Sequence, residues 1–121
     1  MHYVYFVGPA GSDGGPIKIG NTYNLPQRVR SLQTACPMPL ECFEFIEVDG
    51  FNALDLEQCL HRLLQHKRTS GEWFDIKRAD VHPVVQMAFN MLGLGMMVVE
   101  DHGGVLPAPA RINDVLMAAR V

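Results

Sequence analysis

The sequence predicts an α+β domain whose elements follow one another in the order strand, strand, helix, strand, helix. Apolar and β-branched residues alternate with a period of two in three segments, at residues 2–8, 17–20 and 41–49. Apolar residues recur at helical spacing from residue 25 and again over about residues 52–67. The length of 121 residues suffices for one domain with a buried core.

The first two strands are predicted to form a hairpin. The strand at residues 2–8 places Tyr5 on one face, with its neighbours on the other. A glycine-rich loop over residues 9–16 returns the chain to the second strand, Ile17–Gly20. Within that strand Lys18 lies between two isoleucines, so it must point to the face opposite both.

The first helix carries a charge on its apolar side. Asn24 can cap this helix, and Pro26 is tolerated because it falls in the first turn. The apolar stripe consists of Leu25, Val29 and Leu32. Arg28 lies within the angular range of that stripe. Two explanations stay open: the stem of Arg28 covers apolar surface while its guanidinium reaches water, or the guanidinium has a functional partner.

The second helix carries a carboxylate inside its apolar face. That face is predicted from Ala53, Leu56, Leu60, Leu63 and Leu64. Glu57 falls among them, one turn before His61. Because burying an unpaired carboxylate is costly, Glu57 must be neutralised, paired, bound to a metal or placed at the rim of a cleft. An ion pair with Arg28 would be a purely structural explanation.

The densest positive patch of the chain follows at the end of this helix. It consists of His61, Arg62, His66, Lys67 and Arg68. Cations suit the C-terminus of a helix, so this patch requires no ligand to explain it. Arg62, Lys67 and Arg68 are nevertheless the candidates for contacts with nucleic-acid phosphates.

A third helix is predicted from about Arg78, with Pro83 in its first turns. Its buried side is expected from Val84, Met87, Ala88 and Met91. Gly93 should end it.

The chain is predicted to divide into a core at residues 1–78 and an extension at residues 79–121. Within the extension, residues 96–100 favour an edge strand and residues 111–120 a short final helix. No chemistry is recognisable in the sequence beyond residue 93.

Composition narrows the function classes. The formal net charge of −3 argues against coating nucleic acid through bulk charge but allows a local basic face. Three cysteines without zinc-site spacing predict reduced thiols, with neither a disulfide framework nor structural zinc. Neither a signal peptide nor a membrane span is predicted, so we expect a cytoplasmic protein with no membrane partner.

Four segments resemble a known family. They are VYFVG, KIG followed by NTYNLPQR, LEQCLHRLL and GEWF, in the family's order. Together they resemble the GIY-YIG nuclease superfamily, and more narrowly its viral, bacterial and fungal branch known as the meiotically up-regulated gene domain. The match runs from Tyr3 to Ile76. It implies a small three-stranded antiparallel sheet flanked by helices, followed by a short C-terminal helical extension.

The resemblance also implies a chemistry. By position, Tyr5, Lys18 and Arg28 take catalytic places and Glu57 takes that of the metal-binding glutamate. The implied reaction is hydrolysis of DNA phosphodiester bonds with one divalent ion, Mg²⁺ or Mn²⁺, and RNA stays open as a substrate. His61 is a further candidate, either for assisting the leaving group or for contacting phosphate.

Lys18 departs from the family pattern, because most members carry tyrosine there. An ammonium beside Tyr5 would lower the pKa of the phenol, which could then orient or deprotonate the attacking water. We expect Tyr5, Lys18, Arg28 and Glu57 to converge on one concave face of the sheet.

A second class of function remains open. The same fold could serve as a catalytically inactive nucleic-acid-binding or accessory module. The joint presence of Tyr5, Arg28 and Glu57 favours an enzyme, because a binding module has no chemical need for all three. A single site would cut one strand, so we expect nicking unless two protomers act together. The sequence does not predict the oligomeric state.

Overall fold

The computed structural model describes residues 2–93, which form one antiparallel sheet and three helices. The strands are His2–Pro9 (β1), Gly14–Thr22 (β2), Leu40–Val48 (β3), Arg68–Ser70 (β4) and Trp73–Lys77 (β5). The helices are Leu25–Thr34 (α1), Gly50–Leu63 (α2) and Val81–Leu92 (α3). The sheet order is β3-β1-β2-β5-β4. No helix in this part of the chain is long and apolar enough to cross a membrane.

The α+β class agrees with the sequence, but the prediction of a three-stranded sheet is wrong. The sheet has five strands, because β5 pairs with β2 and β4 pairs with β5. Strand β4 was not predicted from the sequence. The second helix was expected to continue to Lys67, but α2 ends at Leu63, and a 3₁₀ turn over Gln65–Lys67 leads directly into β4. The three-residue length of β4 is too short for a readable alternation.

The start of α1 agrees with the sequence prediction. The Asn24 side chain accepts a hydrogen bond from the backbone N–H of Gln27, and Pro26 lies in the first turn. The cap satisfies one of the N–H groups that have no partner within the helix. Leu25 and Val29 are the buried residues of this helix.

Apolar clusters cover both faces of the sheet. On one face α1 packs over β1 and β3, and this cluster comprises Tyr5, Val7, Leu25, Val29, Leu40, Cys42 and Phe45. On the other face α2 and α3 pack over a larger cluster that includes Val4, Phe6, Ile17 and Ile19. Lys18 therefore projects from the α1 face, opposite its neighbouring isoleucines, as its position in the strand predicts.

The third helix buries part of the predicted side: Val84 and Ala88 are buried as predicted, but the two methionines are not. Met87 and Met91 are 51% and 61% exposed, whereas the buried residues are Val81, Val84, Val85, Ala88 and Phe89. Gly93 ends the helix with a φ of 73°, which suits glycine. The edge strand predicted at residues 96–100 and the helix at 111–120 lie outside the described residues. The core boundary at residue 78 stays a prediction.

Candidate active site at the edge of the sheet

The candidate site lies where the pairing between β2 and β5 stops. The last paired residues are Lys18 and Trp73, and the N–H of Ile19 then donates to the carbonyl of Glu72 at 3.1 Å. Beyond this point β2 continues to Thr22 and, among residues 2–93, pairs only with β1. Residues 19–22 therefore form an open edge, which side chains can reach from both faces of the sheet.

Three side chains that can bind a cation meet at the open edge. One ligand atom each from Glu57, His61 and Glu72 lie within 4.8 Å of one another. Glu57 and His61 are one turn apart on α2, and Glu72 belongs to the turn between β4 and β5. The backbone bond to Ile19 fixes the position of Glu72 relative to β2.

The Glu57 residue is 8% exposed, and its carboxyl group accepts a hydrogen bond from Nδ2 of Asn21. Burial raises its pKa, and the charge and hydrogen bonding of neighbouring Glu72 raise it further. The Asn21 hydrogen bond and the proximity of His61 act in the opposite direction. The ionised form of Glu57 is thus costly without a cation, and a bound divalent ion would offset that cost.

His61 is oriented by the backbone of β2. Its Nε2 lies 2.8 Å from the carbonyl oxygen of Ile19, and its ring packs against Phe74 with 5.1 Å between centroids. A carbonyl can only accept, so Nε2 carries the proton and the lone pair of the neutral ring lies on Nδ1. This bond gives His61 a structural role as well, because it satisfies the Ile19 carbonyl, just past the last β2–β5 pair.

Lys18 approaches the same place from the α1 face. Its ammonium lies 3.1 Å from Oε1 of Glu72 and 5.6 Å from the centroid of the Trp73 ring. The Lys18 side chain is 15% exposed and that of Glu72 is 41% exposed. Glu72 therefore links the lysine to the cation-binding group.

Tyr5 on β1 lies opposite Gly20 of β2, its partner in the β1–β2 pairing. A Cβ atom at Gly20 would overlap the phenol hydroxyl, so only glycine leaves room for this ring. Burial raises the pKa of Tyr5 to about 12; Arg28 opposes the shift, and Glu72 and Glu57 add to it. This direction is opposite to the lowering expected from Lys18, whose ammonium pairs with Glu72 instead. Tyr5 is thus a neutral hydrogen-bond donor at neutral pH.

Arg28 is exposed on α1, in a surface pocket with Thr22, Tyr23, Asn24, Gln27 and Ser31. Its charge acts on Tyr5, but within residues 2–93 its guanidinium forms no ion pair. The structural ion pair between Arg28 and Glu57 is therefore not formed. Asn21 is the hydrogen-bond partner of Glu57 instead.

The three predicted phosphate-binding residues are not equally near the site. Arg68 donates from Nε to the carbonyl of Gly71 at 2.6 Å, beside Glu72. Arg62 is exposed on α2, next to His61 in the chain. Lys67 instead borders a groove with Ile76 and Asp80, toward the opposite end of β5 from Glu72.

The four principal candidates do not share one face of the sheet, contrary to expectation. Tyr5 and Lys18 project from the α1 face, whereas Glu57 belongs to α2 on the other face. They approach one another because the open edge of β2 has no further strand beside it to separate the two faces. The candidate site therefore lies at the open edge of β2, where groups from both faces of the sheet meet.

Two polar residues of the site escaped sequence reasoning. Glu72 lies within the GEWF segment and Asn21 begins the NTYNLPQR segment, but neither residue is among the candidates predicted from the sequence. Glu72 lies in a turn, where helical or strand periodicity gives no direction for a side chain. Asn21 alternates with Gly20 and lies on the Ile19 face of β2, so its orientation could have been found by extending the second strand past Gly20.

The donor set fits a hard divalent cation. Two carboxylates and one imidazole can bind Mg²⁺ or Mn²⁺, with remaining positions for water and phosphate oxygens. Glu57 and Glu72 supply the negative charge, and Lys18 is the positive group closest to Glu72 among the ion pairs of the described chain.

The comparisons with known proteins place these features in a family. The family model described as the T5orf172 domain matches residues 2–88, a range that contains every residue of the candidate site. No curated protein and no solved structure matches the chain.

Proposed function

Because the chain belongs to the T5orf172 domain family, which is associated with nuclease-type domains, we propose that it is a metal-dependent endonuclease of the GIY-YIG type acting on DNA. The observation that carries this proposal is the group formed by Glu57, His61 and Glu72 at the open edge. The buried Tyr5 hydroxyl lies on the same strand edge, and both glutamates act electrostatically on it.

In this proposal Glu57 is the principal metal ligand. A bound Mg²⁺ or Mn²⁺ supplies a Lewis acid that stabilises charge on the phosphate during hydrolysis. Asn21 holds the Glu57 carboxylate in one orientation by donating to Oε2. This orientation supports a preformed site, because less side-chain freedom is lost on binding.

Arg28 holds the scissile phosphate. Its planar guanidinium matches phosphate oxygens in two-point contacts, and within the described residues it has no carboxylate partner to compete. The surrounding pocket on α1 leaves the guanidinium accessible to a ligand. Positive charge there stabilises the anion that develops during attack.

Tyr5 orients the attacking water as a donor, since its pKa of about 12 keeps the phenol protonated at neutral pH. Lys18 contributes positive charge beside the phosphate. His61 would contact phosphate or assist the leaving group through a protonated Nδ1, because Nε2 donates to the carbonyl of Ile19. Both keep a structural partner, Glu72 for Lys18 and Ile19 for His61.

Arg62, Lys67 and Arg68 extend the contact with the nucleic-acid backbone. All three are exposed, as phosphate-binding side chains must be. Backbone contacts of this kind do not distinguish DNA from RNA by themselves. A single set of catalytic groups cuts one strand, so the proposed product is a nicked duplex.

The test is nicking of a supercoiled plasmid by wild type and Glu57→Gln, with Mg²⁺, with Mn²⁺ and with EDTA. We expect cation-dependent nicking by the wild type and a loss of roughly 10³-fold or more in the variant. DNA binding without metal should be retained or tightened, because an acidic group leaves a phosphate site. An inactive wild type that still binds DNA would instead support the accessory module.

Thermal melting of the same two proteins controls for folding. Glutamine retains an oxygen that accepts from Asn21, and the structure has no Arg28–Glu57 ion pair to break. We therefore expect a melting temperature equal to or above that of the wild type. A large melting loss with nicking preserved in the folded fraction would contradict the metal-ligand assignment.

A further inference from the structure

Glu72 is fixed at the site by its backbone and has two competing charged neighbours. Its carbonyl accepts from Ile19, so the residue cannot move away from β2 without breaking a bond at the end of the β2–β5 pairing. Gly71 precedes it with a φ of 55°, a left-handed conformation that turns the chain into β5. The side chain is then set between Lys18 and Glu57.

An ordinary surface ion pair does not account for this placement. A lysine–carboxylate pair with a 41% exposed partner contributes little to stability and requires no second carboxylate nearby. Here a Glu57 oxygen lies within 4.8 Å of a Glu72 oxygen, and two carboxyl groups this close can both be ionised only at a cost, so they either share a proton or hold a cation between them. The Lys18 ammonium reaches Glu72 at 3.1 Å, whereas no ion pair joins it to Glu57 in the described residues.

We propose that Glu72 is a second carboxylate ligand of the divalent cation and that Lys18 is its counter-ion only while the cation is absent. The inference rests on the proposed function and deepens it. When the cation binds between Glu57 and Glu72, the Lys18 ammonium loses its partner and becomes available to the substrate phosphate. Cation binding and phosphate binding are thereby coupled through one lysine.

The proposed exchange of partners predicts opposite changes in Mn²⁺ affinity when Glu72 and Lys18 are replaced. Glu72→Gln removes a charged ligand, so its affinity for Mn²⁺, measured by titration calorimetry without DNA, should fall roughly tenfold or more. Lys18→Gln removes the competing ammonium, so its affinity for Mn²⁺ should rise several-fold. A purely structural Lys18–Glu72 pair predicts no such opposition, because both variants would lose the same contact.

Asp75→Asn is the matched control. Asp75 is exposed on β5, three residues after Glu72, and is not in the cation-binding group. Its replacement should leave Mn²⁺ affinity unchanged and thus corrects for a general loss of negative charge. Glu57→Gln measured in parallel gives the effect of losing the ligand assigned above.

The outcomes separate the two proposals. If Glu57→Gln abolishes Mn²⁺ binding but Glu72→Gln binds like Asp75→Asn, the role of Glu72 is overturned and the nuclease proposal stands. If the wild type binds Mn²⁺ through both carboxylates yet never nicks DNA, the cation site stands and the nuclease proposal fails. Should Glu72→Gln not fold, the Lys18→Gln affinity decides: unchanged or weakened Mn²⁺ binding overturns the exchange.

Discussion

The Tyr5 hydroxyl reaches the open edge from a side chain that is only 1% exposed. Burial is the largest influence on its pKa, which is about 12, and Arg28 is the positive charge that opposes the shift. A phenol with this pKa donates hydrogen bonds across the physiological range and cannot take a proton from water. If Tyr5 is catalytic, as proposed, this pKa favours orientation of water over its deprotonation.

Tyr5→Phe tests the donor role. We expect nicking to slow roughly 10²-fold, because one hydrogen bond to the reacting groups is lost. The melting temperature should not fall, since the phenyl ring still fills the space over Gly20. The pH–rate profile between pH 6 and 9 should keep its shape in the variant. A rising alkaline limb in the wild type that disappears in Tyr5→Phe would show instead that Tyr5 is the base.

At the residue scale, sequence reasoning worked where a helix or strand fixed the direction of a side chain. Glu57 lies buried within an apolar helical face, and Lys18 lies opposite its isoleucines, as the two periodicities predict. The partner of Glu57 could not be predicted, because Asn21 and Arg28 are both distant in the chain and only the packing distinguishes them. The placement of Glu72 depends on the end of β5, a tertiary feature.

The contact between β3 and α3 contains a second perturbed carboxyl group, Glu44. Burial raises its pKa to about 7, and its Oε2 is buried without a hydrogen-bond partner among the described residues. His82 of α3 faces it, with 3.8 Å between Nε2 and Oε1, but the His82 side chain is half exposed. A pair at this distance with a half-exposed histidine contributes at most about 1 kcal/mol, which does not offset the burial of the Glu44 carboxyl group.

Glu44 should make the protein less stable as pH rises from about 4.5 to about 7. In this window the folded chain holds a proton on Glu44 that the unfolded chain has released, so the free energy of unfolding falls with pH and levels off above it. The full effect is roughly 3 kcal/mol at most. Glu57 has a pKa shifted in the same direction, so wild type alone does not isolate Glu44.

Glu44→Gln isolates it by comparison in urea unfolding at pH 5 and pH 8. The variant should match the wild type at pH 5, where Glu44 is protonated in the fold, and exceed it by up to about 3 kcal/mol at pH 8. Equal stabilities of the two proteins at pH 8 would mean that Glu44 is ionised in the fold at little cost.

At the element scale, the longer elements were predictable and the shortest was not. Strands β1 and β3 have eight and nine residues, and their alternation is readable in the sequence. Strand β5 has five residues and was expected only as an extended segment, because nothing local indicates that it pairs with β2. The exposed methionines of α3 show the same limit: apolar spacing alone does not select between two neighbouring helical faces.

For the whole molecule, a net charge of −3 means that any DNA binding must depend on a few local basic side chains. If Arg28, Arg62, Lys67 and Arg68 each contact one phosphate, log Kd should rise with log salt at a slope of about 3–4. Between 50 and 200 mM salt, affinity should then fall roughly 100-fold. An affinity that does not change with salt in this range would contradict nucleic acid as a binding partner.

Single variants show which basic side chains contribute to the salt dependence of DNA affinity. Arg68→Ala should lower the slope by about one, because one phosphate contact is lost. Arg78→Ala is the control: the Arg78 guanidinium already pairs with Glu41 and donates to the carbonyl of Pro9. Its replacement should leave the slope unchanged. Fluorescence anisotropy of a labelled duplex without metal measures both.

The packing of helices on both faces of the sheet has a consequence for heat inactivation. Helix α1 holds Arg28 yet buries only Leu25 and Val29, whereas α2, which holds Glu57, buries Ala53, Leu56, Cys59 and Leu60. An element with fewer buried contacts opens at a lower free energy. On warming, α1 should therefore detach from the sheet before the rest unfolds. If Arg28 binds phosphate and Glu57 binds a cation, as proposed, phosphate binding would be lost before cation binding, and activity would decline below the melting temperature.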